Sequence, residues 1–189
     1  MPLKPRERIL QAAALLFYRD GYRNTGVREI LAESGAHKAS FYRHFPAKED
    51  LVRAYLEYRG DVLAEALHGM AARAADASRF FRLWQSYLYR AAKAGELHGC
   101  PLANLNAELG AERRNFRDAM TAVGDRWHGI IRDFLRREQR ARRIPRRVDV
   151  ENASRLVMMI YEGHLQAFSL YGDASLLQTM AADMSRALT

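Results

Sequence analysis

Residues 37 to 48, HKASFYRHFPAK, set three cations, Lys38, Arg43 and Lys48, and two histidines, His37 and His44, among three aromatic rings. Side chains of this kind neutralise phosphate oxygens, and a guanidinium can in addition lie against a guanine edge. Projected at about 100° per residue, Phe41 and Phe45 fall together and must face a core. Ala39, Ser40 and Arg43 then face outward, with Lys38 and Tyr42 on one flank and His44 on the other. Small residues at 39 and 40 let such a helix sink into a major groove. Lys48 stands in the first turn of the next helix, where the helix dipole disfavours a cation, and a phosphate contact accounts for it. Cys100 offers a different chemistry. In GELHGCPLANLNAELG it precedes Pro101, which suits a first helical position, so the thiol would feel the positive helix end and gain thiolate character. It can equally be a small buried packing residue. Both readings stay open.

Short helices must position the first group. Ile9, Ala13, Leu16 and Phe17 recur at helical spacing, predicting a helix from Pro5 to Asp20 that stops at Gly21. Thr25 is placed to cap a second helix carrying Val27, Ile30 and Leu31 inward, which ends at Gly35. A third runs from Lys38 to Phe45 and is closed by Pro46, because the residue before a proline is pushed out of helical geometry. Two short helices joined by a glycine turn make a helix-turn-helix. Further helices are read at residues 48–73, 77–94, 101–109, 111–143, 149–171 and 174–188. The fold class is all-α, with a three-helix segment at residues 1–50 and a larger helical domain at 51–189.

Composition agrees with a folded protein. The 189 residues are 49% hydrophobic and 28% charged, with five prolines. The net charge of +8 favours a polyanionic partner. Residues 1–51 hold nine Lys/Arg against six Asp/Glu, and residues 132–147 hold eight Arg against two acids. Its densest part, RREQRARRIPRR at residues 136–147, lacks aromatics and reads as a solvated helix end, or as a second contact to nucleic acid. No apolar run approaches the roughly 20 residues that span a bilayer, and the start lacks a secretory apolar region, so no membrane partner and a cytoplasmic location are expected. The single cysteine excludes clustered thiolate metal sites. There is no glycine-rich phosphate loop, G-x-S-x-G elbow or H-E-x-x-H. Neither an enzyme, a cofactor nor a metal is expected.

The stretch RERILQAAALLFYRDGYRNTGVREILAESGAHKASFYRHFPAKEDL resembles the DNA-binding domain of TetR-family transcriptional repressors through FYRDGY, TGVREI, FYRHF and the Lys-Glu-x-Leu exit. The resemblance implies that Thr25, Arg28, Lys38, Ala39, Tyr42, Arg43, His44 and Lys48 touch double-stranded operator DNA. To these the reading of the residues adds His37 and Ser40. The family usually has Ser or Thr where His37 stands and often Gly where Ala39 stands, so base preference does not transfer. The resemblance also implies an all-helical C-terminal domain that binds a small-molecule effector and forms a homodimer. GC-x-x-x-N-L-x-x-E around Cys100 is similar to a subgroup that includes electrophile-responsive repressors.

For the effector, Trp84, Tyr87, Cys100, Trp127, Met158, Tyr161 and Glu162 are the candidates, with Tyr89, Met159 and His164 beside them. They can equally be packed core. Two stripes are candidates for the dimer seam: Leu156, Ile160, Gly163 and Ala167 on one helix, Leu177, Met180 and Met184 on the next. The rival is a helical small-molecule-binding or adaptor protein without DNA affinity. Lys38, Tyr42 and Lys48 argue against it.

Overall fold

The computed structural model describes residues 3–189, which are helical without a strand among them. In chain order they form α1 (Pro5–Arg19), α2 (Val27–Ser34), α3 (Lys38–His44), α4 (Lys48–Arg73), α5 (Ala77–Lys93) and α6 (Pro101–Leu109). A 3-10 segment, Gly110–Phe116, leads to α7 (Arg117–Arg140) and α8 (Val150–Tyr171), and a second, Ala174–Leu177, leads to α9 (Met180–Arg186). No helix among the described residues is long and apolar enough to cross a membrane.

Two compact units result. One is the chain up to Asp61 together with Pro101–Val123; the other is Val62–Cys100 with Gly124–Thr189.

In the first unit, α1 buries Ile9, Ala13, Leu16 and Phe17 as its spacing requires. The chain leaves α1 at Gly21, whose φ of +94° only glycine adopts readily. Thr25 does not cap α2. Its buried hydroxyl donates to the Gly21 carbonyl at 2.8 Å, and Gly26 is the capping residue, with its N–H donating to the Glu29 carboxylate at 2.9 Å. The α2–α3 turn uses Gly35 at φ +61°. His37 precedes α3 without a side-chain cap, and Phe45 leaves helical geometry before Pro46. Phe41 and Phe45 enter the same core as Ile9, Phe17 and Ile30, and the Arg6 guanidinium covers the Phe45 ring at 5.2 Å.

This core is not confined to the first 50 residues. Leu105, Leu109 and Phe116 belong to it, so α6 and the segment after it complete the N-terminal unit. The helix expected at 111–143 begins only at Arg117 because Gly110, at φ +54°, ends α6 and the chain tightens into a 3-10 turn.

The second unit packs α5, α7, α8 and α9. The Asp76 carboxylate accepts from the Arg79 N–H at 2.7 Å and starts α5, which buries Phe80, Phe81, Trp84 and Leu88. Phe80 stacks on Phe134 of α7 at 4.4 Å, and Trp84 on Tyr161 of α8 at 4.9 Å. Asp149 caps α8 as its sequence position suggested. The helix expected at 174–188 is divided, and its apolar residues Leu177, Met180 and Met184 are fully buried inside the chain. They pack toward α5, whose Gln85 side chain accepts from the Ala181 N–H at 2.9 Å.

The arginine-rich end of α7 is built around a buried carboxylate. Glu138 is fully buried, and Arg143 binds it through two nitrogens at 2.7 and 2.9 Å. Arg143 holds the Glu138 carboxyl below the usual range against the cost of burial, and Arg137 contributes at 3.5 Å while donating to the Ala71 carbonyl. Part of the 132–147 charge run is thus internal structure. Replacing Glu138 with Gln should cost about 2 kcal/mol at neutral pH, the scale of hydrogen bonds to a charged group. Because the folded pKa is depressed, this contribution is complete above about pH 4.3 and is lost as pH falls through the folded value. Chemical denaturation of both proteins, down to the lowest pH at which both fold, should show the stability gap closing. A gap that stays constant would place the loss elsewhere than in the ion pair.

Candidate functional site

The outward face of α2 and α3 carries Arg28, His37, Lys38, Ala39, Tyr42 and Arg43, all exposed, with His44 half-buried. Tyr42 is 45% exposed although its ring edge packs on Phe41 at 5.2 Å. Among the described residues no carboxylate pairs with Arg28, Lys38 or Arg43. Three uncompensated cations therefore share the exposed surface of α2 and α3 with the one-carbon side chain of Ala39, where a helix can approach another surface closely.

Three expected contacts are placed differently from the rest. Thr25 is buried by its bond to Gly21. The Ser40 hydroxyl is turned inward and buried, because position 40 is adjacent to Phe41 on a helix whose core side is set by that ring. Lys48 is half-buried, with Nζ donating to the Tyr22 carbonyl at 2.7 Å and lying 4.0 Å from the centre of the Tyr22 ring. Burial lowers its pKa, and the carboxylates of Glu112, Glu108, Glu49 and Glu29 oppose that shift. The cation that looked misplaced at a helix start is held by an aromatic ring and a carbonyl.

The loop that receives Lys48 is the feature sequence reasoning missed. The Arg23 N–H donates to Glu108 at 2.9 Å and the Arg23 guanidinium to the Glu108 carbonyl, while the Tyr22 hydroxyl faces Glu112 at 3.4 Å. Burial followed by the Glu112 charge pushes the Tyr22 phenol up to about 12. The acids at 108 and 112, four positions apart across Gly110, are its one local trace.

In the second unit, Trp84, Trp127 and Tyr161 are buried, Met158 and Tyr87 are half-buried, and Cys100 is 3% exposed. The Trp84 indole nitrogen is buried without a hydrogen-bond partner. Burial raises the Glu162 pKa, opposed by a hydrogen bond from the Cys100 thiol, so α8 and the residue before α6 meet through a carboxyl pushed toward its neutral acid. His164 is tied down: Nδ1 lies 2.7 Å from the Leu176 carbonyl and Nε2 3.0 Å from Asp183. Met159 points outward and is 66% exposed.

The seam candidates divide. Leu156 and Gly163 are exposed and Ile160 and Ala167 half-buried, continuing through exposed Met159, Leu170 and Tyr171 into an apolar face of α8. Beside it Ile160, Gly163, His164 and Ala167 line a groove of about 490 Å³ closed by Leu176, Thr179 and Asp183. Leu177, Met180 and Met184 offer no such surface, being filled from within the chain.

Residues 9–55 match the family model of bacterial regulatory proteins of the tetR family, and residues 76–184 match that of the tetracyclin repressor-like C-terminal domain. The chain is 31% identical over 136 residues to the HTH-type transcriptional regulator LmrA of Bacillus subtilis, covering 69% of this chain and 71% of LmrA. It is 34% identical over 124 residues to the transcriptional regulator AcuR of Cereibacter sphaeroides, covering 63% of this chain and 55% of AcuR. The crystal structure of a TetR transcriptional regulator from Chloroflexus aurantiacus superposes with a TM-score of 0.82 at 25% identity, over 96% of this chain and 92% of that one. With a helix-turn-helix at one end and this C-terminal domain at the other, the chain belongs to the TetR family of bacterial transcriptional regulators.

Proposed function

We propose that the protein is a dimeric repressor that reads a two-fold operator through α3 and releases it when a small molecule binds the C-terminal unit. The observation that carries this reading is the set of unpaired, exposed cations Arg28, Lys38 and Arg43 on the two helices that also present the small side chain of Ala39. A repulsive cluster of this kind is of little use to folding and gains most from phosphate oxygens. Arg43 reads a base edge, Lys38, Tyr42 and His44 hold phosphates, and Lys48 serves by fixing the loop beneath them.

One seven-residue helix reads only a few base pairs, so two copies are required, with recognition helices about 34 Å apart. The exposed apolar face of α8 supports a seam made by Leu156, Met159, Ile160, Gly163 and Ala167. The effector acts on the stacked Trp84–Tyr161 pair, on buried Trp127 and on Glu162. Cys100, which bonds Glu162, is followed by Pro101 at the start of α6, and α6 carries Glu108 to the Gly21–Arg23 loop. Displacing the Cys100–Glu162 contact would shift α6 and with it the reading head, favouring a dimer of wrong helix spacing. A thiol that is buried and bonded to a carboxyl is shielded from solution reagents, which favours a reversibly bound effector over an electrophile.

Fluorescence anisotropy on the DNA flanking the protein's own gene should separate contact types. Arg43→Ala should cost roughly 1–3 kcal/mol on that DNA and little on random DNA. Lys38→Ala should weaken both and lower the salt slope by about one. Equal losses on both DNAs for both variants would contradict the division between base reading and phosphate anchoring.

Assembly has its own test in a pair of substitutions on the same unit. Met159→Glu should give folded monomers in sedimentation, because a charge in an apolar seam loses water without gaining a partner. Leu177→Glu should instead lower the melting temperature, since Leu177 is buried in the protomer. A Met159→Glu protein that stays dimeric would remove α8 from the seam.

Cys100→Ser should still release DNA with a reversible effector. If wild type releases DNA on treatment with a quinone and Cys100→Ser does not, the effector is an electrophile and the reversible reading fails.

A further inference from the structure

A second groove, of about 550 Å³, runs between the last turns of α4 and the outer face of α5. Its lining is divided sharply by chemistry. Met70, Leu83 and Tyr87 make an apolar floor, and Arg73, Arg79 and Arg90 make the rim.

The three arginines are not accounted for by the fold. Arg73 Nε donates to the Gly69 carbonyl at 3.0 Å, which orients the side chain and leaves its terminal nitrogens free of any carboxylate. Arg79 and Arg90 have no hydrogen-bond or ion-pair partner for their guanidinium groups among the described residues. No acidic residue lines the groove; Asp76, at the turn, accepts from the Arg79 backbone N–H at 2.7 Å, and its charge acts on Arg143. The three guanidinium charges are thus left without a carboxylate partner beside an apolar trough.

Their spacing adds direction. Arg79, Leu83, Tyr87 and Arg90 follow one stripe of α5, and at 1.5 Å per residue Arg79 and Arg90 are about 16 Å apart along the axis. The chain turns from α4 to α5 within residues 74–76, so Arg73 and Arg79 flank that turn together. At the same end Arg137 donates to the Ala71 carbonyl at 2.9 Å, its charge shared with the buried Glu138. The trough therefore has a doubly cationic end, an apolar middle and one cation at its far end. Its volume lies within the range of small-molecule sites.

We propose that the α4–α5 groove binds an amphipathic anion, a carboxylate or phosphate head held between Arg73 and Arg79 and an unbranched apolar chain lying over Met70, Leu83 and Tyr87. Guanidinium forks match the planar or tetrahedral oxygens of such heads bidentately, and the apolar floor excludes small inorganic anions as the preferred occupant. This site is distinct from the buried aromatic cluster assigned to the effector above and does not depend on DNA binding.

Isothermal titration of the full chain with decanoate, decyl phosphate, decanol and acetate tests it. The two C10 anions should bind, more weakly as salt rises, while decanol and acetate should bind far less. A preference between decanoate and decyl phosphate identifies the head group. Arg79→Glu should weaken the anions by at least about tenfold, the cost of a lost charge-assisted contact, and Leu83→Asn should weaken both C10 anions by removing apolar floor from under their chains. Both positions lie on the outer face of α5, and an unchanged melting temperature certifies the fold. No binding of either anion, equal binding of decanol, or anion binding untouched by Arg79→Glu would each overturn the proposal.

Discussion

The N-terminal unit depends on how the loop Gly21-Tyr22-Arg23 is held from both sides. Glu108 takes the Arg23 N–H through its carboxylate and the Arg23 guanidinium through its carbonyl. Lys48 reaches the Tyr22 carbonyl from the opposite direction and lies against its ring. Gly21 makes the approach possible, since its φ is +94° and a Cβ there would meet the Glu108 carboxylate at 2.9 Å. The loop joins α1 to α2, so fixing it fixes the helix-turn-helix. The contact also joins α6 to the same body. Net of lost hydration each such bond contributes on the order of 1 kcal/mol, and their value lies in setting one geometry for several elements.

The C-terminal unit divides its longest apolar helix between two tasks. Val157, Tyr161 and Leu165 of α8 are buried, while Leu156, Met159 and Leu170 face outward. Inward residues complete the aromatic core through the Trp84–Tyr161 stack. Outward residues leave apolar area of the kind that a second copy covers, and singly exposed leucines would need no such account. Between the two faces stands His164, whose ring nitrogens both meet oxygens, from Leu176 and Asp183. The backbone carbonyl can only accept, so Nδ1 is the donor of that bond.

Much of this was legible in the chain. Helical periodicity gave α4, α5 and α6 within a residue, because their caps and stops, Asp76, Pro101 and Gly110, are local. Phe41 and Phe45, four residues apart, announced the buried side of α3. What could not be read were pairings at a distance. Glu108 and Arg23 are 85 positions apart, so nothing near residue 50 indicated that the N-terminal core closes only with residues 101–123. The same limit governed the stripe Leu177, Met180 and Met184, since periodicity shows that a face is apolar and not which partner fills it. At Lys48 the sequence shows a cation at a helix start, and only the fold shows the Tyr22 carbonyl and the Tyr22 and Phe17 rings, 4.0 and 5.7 Å from Nζ, that hold it. Thr25 and Ser40 failed as surface groups for a simpler reason: a hydroxyl that finds a backbone oxygen, or lies beside a core ring, turns inward.

The central claim is that Glu108 makes α6 and the reading helices one body. Hydrogen exchange followed by mass spectrometry, comparing the native chain with Glu108→Ala, tests it most directly. The account expects faster exchange at the Arg23 amide and through residues 27–44, with residues 150–171 unchanged. Unaltered protection of α2 and α3 in the variant would contradict it.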